Sequence, residues 1–246
     1  MFVYFKFYVK NIKLVIWDLD ETFWKGTLSE EGITPISEHL DLVKKLTDRG
    51  IINSICSKND FEQTKKTLQE LNIWEHFIFP SIAWSPKGES VKQILSDCQL
   101  RPENVLFLDD NHSNIEEVKF YNKGIVAELP AFTSGLLDHE AFVGKDDSSH
   151  SRLKQYKILE EKADAGKGFS SNTDFLKASN IQVQITSGAD LLIHAERIHE
   201  LLNRTNQLNF TKKRLSLAET KGLLSSPGEL GLIQVKDNFG DYGYVG

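Results

Sequence analysis

Apolar residues cluster in short continuous runs separated by polar, helix-period stretches. Leu14 to Trp17 is one such run, closed abruptly by Asp18 and Asp20. Four consecutive large apolar residues suit a strand buried on both faces, as in a parallel sheet. Gly50 to Ser57 reads as a second strand, and Val105 to Leu108 is another apolar strand that also ends in acid, Asp109-Asp110-Asn111. Ile125 to Leu129 reads as a further strand, and Phe77 to Phe79 as a short one closed by Pro80. Between them the pattern predicts helices at about 37–49, 61–71, 87–97 and 113–121. Leu40, Val43 and Leu46 form the inner face of the first, and Gly50 stops it. Asp60 or Asn59 caps the second, and Pro86 suits the first turn of the third. The stretch after Thr22, FWKGTLSEEGITPI, reads as a tight turn or short hairpin. Strand–helix alternation of this kind implies right-handed crossovers and a parallel sheet covered by helices on both faces.

From about 131 onward the signal changes. Residues 146–149 read as a linker and Arg152 to Ala165 as an amphipathic helix ended by Gly166 and Gly168. Phe175-Leu176 suggests a short helix and Ile181 to Ile185 a strand. Gly188 to Asn203 has helical spacing, Glu229 to Val235 reads as a strand, and Tyr244-Val245 begins another. The expected division is a first domain at 1–145, connector helices at 146–180, and a second domain at 181–246. A chain that stops at Gly246 inside a hairpin is expected to be an incomplete domain. The N-terminal MFVYFKFYVKN is read as an edge strand or a poorly ordered start.

Composition narrows the function classes. The chain has 246 residues, 40% of them hydrophobic, and a formal net charge of -6. An acidic balance argues against a nucleic-acid binder, which carries a basic face. Two cysteines far apart, Cys56 and Cys98, form no disulfide framework and fit a reducing cytosol, so a cytoplasmic location is expected. No apolar run approaches the roughly 20 residues of a membrane helix, and no signal peptide is recognisable.

Carboxylates at the carboxyl ends of parallel strands carry the chemistry. Ligands of open α/β sheets bind at that edge. If the strand continues, Asp18 and Asp20, two apart, point the same way. Two anions so close repel unless a cation lies between them, and carboxylates with a hard cation make a magnesium site with phosphate as co-ligand. Ser57 and Lys58 follow a second strand, and Lys87 opens a helix. Individually, Ser57 is equally readable as a helix cap and Lys87 as a solvated lysine.

As a set, DLDET, the Ser of SKN, Lys87 and the acidic pair resemble the four motifs of the haloacid dehalogenase-like (HAD) hydrolases over about residues 11–130. The resemblance implies a Rossmann-like parallel sheet and a Mg2+-dependent phosphatase. In that reading Asp18 is the nucleophile that becomes an aspartyl phosphate, and Asp20 is the general acid and then the base. Thr22, Ser57, Lys58 and Lys87 serve the phosphoryl group. Asp18, Asp109, with Asp110 as second ligand or orienter, and the backbone carbonyl of Asp20 would hold the metal, and Thr22 would orient through its hydroxyl. Between Asp20, Ser57 and Lys87 the chain is already spent on sheet elements. No large cap domain is expected, since one needs roughly 50 residues, and the site should be open.

WDLDETFWKGTLSEEG, ICSKND, FLDDN, RTNQLNFTKKR and VKDNFGDYGYVG together look like the FkbH-like branch of that superfamily. Members carry an acetyltransferase-like (GNAT) half after the phosphatase half. Some load a glyceryl unit from 1,3-bisphosphoglycerate onto an acyl carrier protein. That resemblance implies an acyl-carrying role for Cys56, with Lys58 and magnesium lowering its pKa. The alternative is a buried structural cysteine, and strict alternation aims Cys56 away from Ser57. Three readings stand: glyceryl transfer with dephosphorylation, a plain phosphomonoester phosphatase, and a non-catalytic carrier-protein scaffold. Cys98 and His112 read as helix residues. The polar cluster Arg204 to Gln207 with Asn209 is equally a cap or a substrate contact. His194 and His199, five apart, make poor metal geometry.

Overall fold

A computed structural model describes residues 11–30, 32–204, 213–226, 228 and 230–246. The expected N-terminal edge strand and all of the 204–209 polar cluster beyond Arg204 lie outside the described residues. The chain divides into two compact units, Met1–Glu160 and Glu161–Gly246.

The first unit is the expected α/β layer. Five parallel strands lie in the order β5-β4-β1-β6-β7: β1 Leu14–Trp17, β4 Ile52–Ser57, β5 Ser81–Ile82, β6 Val105–Leu108 and β7 Val126–Glu128. A two-stranded hairpin, β2 Trp24–Lys25 with β3 Thr34–Pro35, follows β1. All four residues of β1 are buried because both faces are covered. Val15 and Trp17 pack with Ile55, Leu106 and Leu108 on one side. Leu14 and Ile16 pack with Ile52, Val105 and Phe107 on the other. On the first side lie helix α1, Ser37–Asp48, through Leu42, Val43 and Leu46, and α2, Phe61–Glu70, through Leu68. The second side receives α3, Lys87–Asp97, through Val91, Ile94 and Leu95, and α4, His112–Tyr121, through Ile115 and Val118. Helix α5, Ser151–Gly166, adds Leu153 to that second cluster.

Strand order creates a switch point. From β1 the chain crosses to β4 and β5, then returns to the opposite side of β1 for β6 and β7. The crevice beyond the carboxyl ends of β1 and β6 is therefore the favoured ligand position of an open α/β sheet.

Several expectations shift. Phe77–Phe79 is not the edge strand: Phe77 makes only an isolated bridge with Asn53. Phe79 takes a positive φ of 44°, Pro80 has no N–H to offer the ladder, and pairing resumes at Ser81–Ile82 against Cys56–Ser57. Leu40 is only half-buried, and His39 takes its place inside α1's inner face. Residues 130–142 contain three short 3-10 turns.

The second unit contains a three-stranded antiparallel sheet in the order β10-β9-β8. Its strands are β8 Gln182–Ser187, β9 Gly231–Lys236 and β10 Asp241–Tyr244, and its helices are α6 Asn172–Ala178, α7 Ala195–Arg204 and α8 Leu217–Leu224. The single helix expected over 188–203 is split, with tighter 3-10 turns at Gly188–His194. Leu192, which a 3.6-residue period places inside, is 44% exposed there. Helix α8 was missed, although Ser216 and Glu219 form a capping box that signals its start.

Candidate active site

Register brings the acids together. Trp17 lies beside Leu108 in the β1–β6 pair and beside Ile55 in the β1–β4 pair. The ladder continues one residue past β1, because the Asp18 N–H donates to the Leu108 carbonyl at 2.9 Å. Asp18 and Asp109 are thus neighbours at the carboxyl edge, in phase with Ile16 and Phe107, on the face that α3 covers.

Lys87, the first residue of α3, closes this arrangement. Its Nζ lies 2.6 Å from Asp18 Oδ1 and 2.6 Å from Asp109 Oδ2. Lys87 is 3% exposed, Asp18 6% and Asp109 0%. A cation at a helix N-terminus opposes the helix dipole, and burial alone would push Lys87 down. The two carboxylates outweigh both effects and hold its pKa above the ordinary lysine value. Asp18 shows the other side of the balance. Burial raises it to about 6 against the pull of Lys87, and Asp109 adds repulsion. One ammonium shared by two buried acids keeps its own proton but does not fully compensate the burial of Asp18.

Asp109 accepts two further donors, the Asn111 N–H at 2.8 Å and Asn114 Nδ2 at 3.0 Å. Asp110 is exposed as a whole, but its carboxyl is partly desolvated, and this, then repulsion from Asp109, raises its pKa. Its backbone N–H donates to Thr22 Oγ1 at 3.0 Å. Thr22 is fully buried, and by accepting this N–H its hydroxyl orients the acidic loop. The carboxylate oxygens of Asp18, Asp109 and Asp110 come within 4.8 Å of one another. An oxygen-only set of this kind fits a hard divalent cation such as magnesium.

Asp20 belongs to a second group. The pleat does not aim it, because the strand ends at Trp17 and the chain turns: the Thr22 and Phe23 N–H groups both donate to the Leu19 carbonyl. Glu21 sits inside that turn with φ 52°, and its Oε1 accepts the Gly26 N–H at 2.8 Å. Asp20 Oδ1 accepts from Trp24 Nε1 at 2.8 Å and from the Leu28 N–H at 3.1 Å. Its Oδ2 accepts from Asn59 Nδ2 at 3.0 Å. The same Asn59 nitrogen donates to Ser57 Oγ at 3.2 Å, so Asp20 and Ser57 share one donor. The Asp20 carboxylate is not among the three that draw together, which leaves its side chain free of the candidate metal position.

Lys58 is exposed, and among the described residues it makes no hydrogen bond or ion pair with the acids. Cys56 lies in phase with Ile52, opposite to Ser57 as alternation expects, and so shares a sheet face with Asp18 and Asp109. Access is another matter. Cys56 is 2% exposed within the apolar cluster, and burial pushes its thiol up to about 12 despite the nearby Lys87. Burial thus works against the lowered thiol pKa expected from Lys58 and magnesium. Asn59 was read only as a possible helix cap, and Asn114, inside the first turn of α4, carries no signal in the sequence pattern. Asp60 and Asn111 are the actual caps.

No family model matches the chain, and no curated protein matches it. Among solved structures, the N-terminal part of a Bacteroides fragilis protein, containing a phosphatase domain complexed with Mg, is 25% identical with a TM-score of 0.44. That match covers 57% of this chain, which spans only 42% of the other. A cobalt-bound deoxy-D-mannose-octulosonate 8-phosphate phosphatase from Haemophilus influenzae is 18% identical over 68% of this chain and 98% of its own, TM-score 0.40. The Moraxella catarrhalis 3-deoxy-D-manno-octulosonate 8-phosphate phosphatase, in complex with magnesium, phosphate and KDO, is 16% identical over 65% and 94%, TM-score 0.38. These similarities are distant.

Proposed function

We propose that the first unit is a magnesium-dependent phosphatase of the HAD type that hydrolyses a phosphorylated small molecule through an aspartyl phosphate at Asp18. The observation that carries this reading is Lys87, buried and 2.6 Å from both Asp18 and Asp109 at the switch point of the sheet. Three carboxylates face one ammonium there, an excess of negative charge that would repel a phosphate dianion. Magnesium, held by Asp18, Asp109 and Asp110, would neutralise that excess and polarise the phosphoryl oxygens. The chain's own residues do the rest. An oxygen of Asp18 attacks phosphorus as the bond to the leaving oxygen breaks, and Asp20 gives that oxygen a proton. Water then attacks the same phosphorus, Asp20 takes a proton from it, and the bond between Asp18 and phosphorus breaks to release phosphate. Ser57 and Lys87 stabilise charge on the phosphoryl oxygens.

Glyceryl transfer to an acyl carrier protein, the finer reading from the FkbH-like resemblance, needs a thiolate at Cys56. Its 2% exposure and raised pKa weigh against that role, and the acetyltransferase-like reading of the second unit rests on sequence segments alone. Phosphate release from a panel of phosphomonoesters, in magnesium and in chelator, tests the phosphatase. Metal-dependent release abolished in Asp18→Asn supports it, and release that persists in that variant overturns it. Incubation with 1,3-bisphosphoglycerate followed by intact-mass measurement separates the alternatives. A glyceryl adduct lost in Cys56→Ala would establish transfer, whereas carrier-protein binding with neither adduct nor phosphate release would favour a scaffold.

A further inference from the structure

Asn59 is 3% exposed and lies in the bend between Ser57 and α2. Its side-chain nitrogen has two hydrogens, and two acceptors face it: Asp20 Oδ2 at 3.0 Å and Ser57 Oγ at 3.2 Å. An ionised carboxylate only accepts, so in that state the nitrogen of the amide faces Asp20. Ser57, by accepting from Asn59, keeps its own hydroxyl hydrogen for another acceptor. Trp24 Nε1 and the Leu28 N–H hold the other oxygen of Asp20, so three donors from two segments, the hairpin after β1 and the bend after β4, fix this carboxylate. Asp60 supplies the cap of α2 by accepting from the Gln63 N–H at 2.8 Å, so capping does not require Asn59.

We infer that Asn59 is a positioning residue that sets two groups at once: the carboxyl that protonates the leaving oxygen and the hydroxyl that meets the phosphoryl group. The inference rests on the phosphatase reading and adds a residue which that reading does not need. Its consequence concerns the leaving group. When an alkyl phosphate reacts, the phosphorus–oxygen bond breaks, its electron pair goes to the alkoxide oxygen, and that oxygen must take a proton from Asp20. A nitrophenolate leaves as a stable anion and takes none. Loss of Asn59 should therefore harm alkyl phosphates selectively.

The experiment compares kcat/KM for β-glycerol phosphate and p-nitrophenyl phosphate in the full chain, for wild type, Asn59→Leu and Asn59→Ser. The smaller serine cannot reach both acceptors and fits the bend even if leucine does not. The alkyl substrate should lose about 10- to 100-fold more than the aryl one, the scale of a general-acid contribution. In an Asp20→Asn background the same substitutions should leave the substrate ratio unchanged, since the group they act through is gone. Equal loss on both substrates in well-folded variants would assign Asn59 a purely structural role and overturn the inference while the phosphatase reading stands. Absence of metal-dependent turnover of either substrate by wild type would remove the phosphatase reading and this inference with it.

Discussion

Replacing Lys87 with methionine keeps the volume of the aliphatic stem and removes the charge. It leaves Asp18 and Asp109 buried with no cation between them, where both contacts are now 2.6 Å. Breaking a buried ion pair from one side costs about 3–5 kcal/mol. For a unit of this size that lowers Tm by about 10 °C. The loss should depend on pH. Asp18 has a folded pKa of about 6 against 3.8 unfolded, so the folded chain holds more protons across that interval. Stability from this group therefore falls as pH rises from 3.8 toward 6, by about 3 kcal/mol in total at 1.36 kcal/mol per unit. Without Lys87 the Asp18 pKa climbs further, and the deficit of the variant grows toward neutral pH. All four tryptophans, Trp17, Trp24, Trp74 and Trp84, lie in the first unit, so their fluorescence reports its melting alone. The assay is thermal melting in chelator at about pH 4.5 and about pH 7.5, bracketing the range over which the carboxyls titrate. Equal Tm for wild type and Lys87→Met at the higher pH, or a deficit that shrinks as pH rises, would refute the reasoning. Added magnesium should restore part of the loss.

Magnesium should raise the wild-type melting temperature, by about 2.7 kcal/mol of stability at a hundredfold excess over Kd, and Asp110→Asn should shift the required concentration upward in the same titration. Cys56 in the native chain should resist alkylation near neutral pH, because its thiol is buried and pushed up to about 12. Rapid labelling measured by mass would show that the strand end opens. His39 is buried against Phe23 and Trp17, its Nδ1 3.1 Å from the Phe23 carbonyl oxygen, and burial lowers its pKa. Here the unfolded chain binds the proton more readily, so stability falls as pH drops below the unfolded value of 6.5. His39→Phe should remove that acid-side loss in a melting series.

Much of the first unit was legible in sequence because a strand buried on both faces must be apolar at every position. Leu14–Trp17 and Val105–Leu108 satisfy that condition, whereas Ile52–Ser57 is buried throughout although Asn53, Ser54 and Ser57 are polar. The edge strand was not legible, since two residues beyond Pro80 have no periodicity to detect. In the second unit, the break at His194 depends on packing that helical spacing alone does not reveal. At the site, charge pattern exposed Asp18, Asp20, Asp109 and Asp110. Asn59 stayed hidden because a polar residue beside a helix start looks alike whether it caps the helix or reaches across to another strand, and Asn114 because a polar residue in a first helical turn carries no periodic signal.

From the chain alone came local facts: which runs are buried, where carboxylates interrupt them, and which helix opens on a lysine. Only the assembled sheet decided that β6 lies beside β1, and hence that Asp109 meets Asp18 under Lys87. It also decided that Asp20 is paired with Ser57 through Asn59, and that Cys56 is sealed away from solvent. Short-range patterning is set by side-chain period and burial. Which distant residues meet is set by strand order and register, and those depend on the packing of the whole unit.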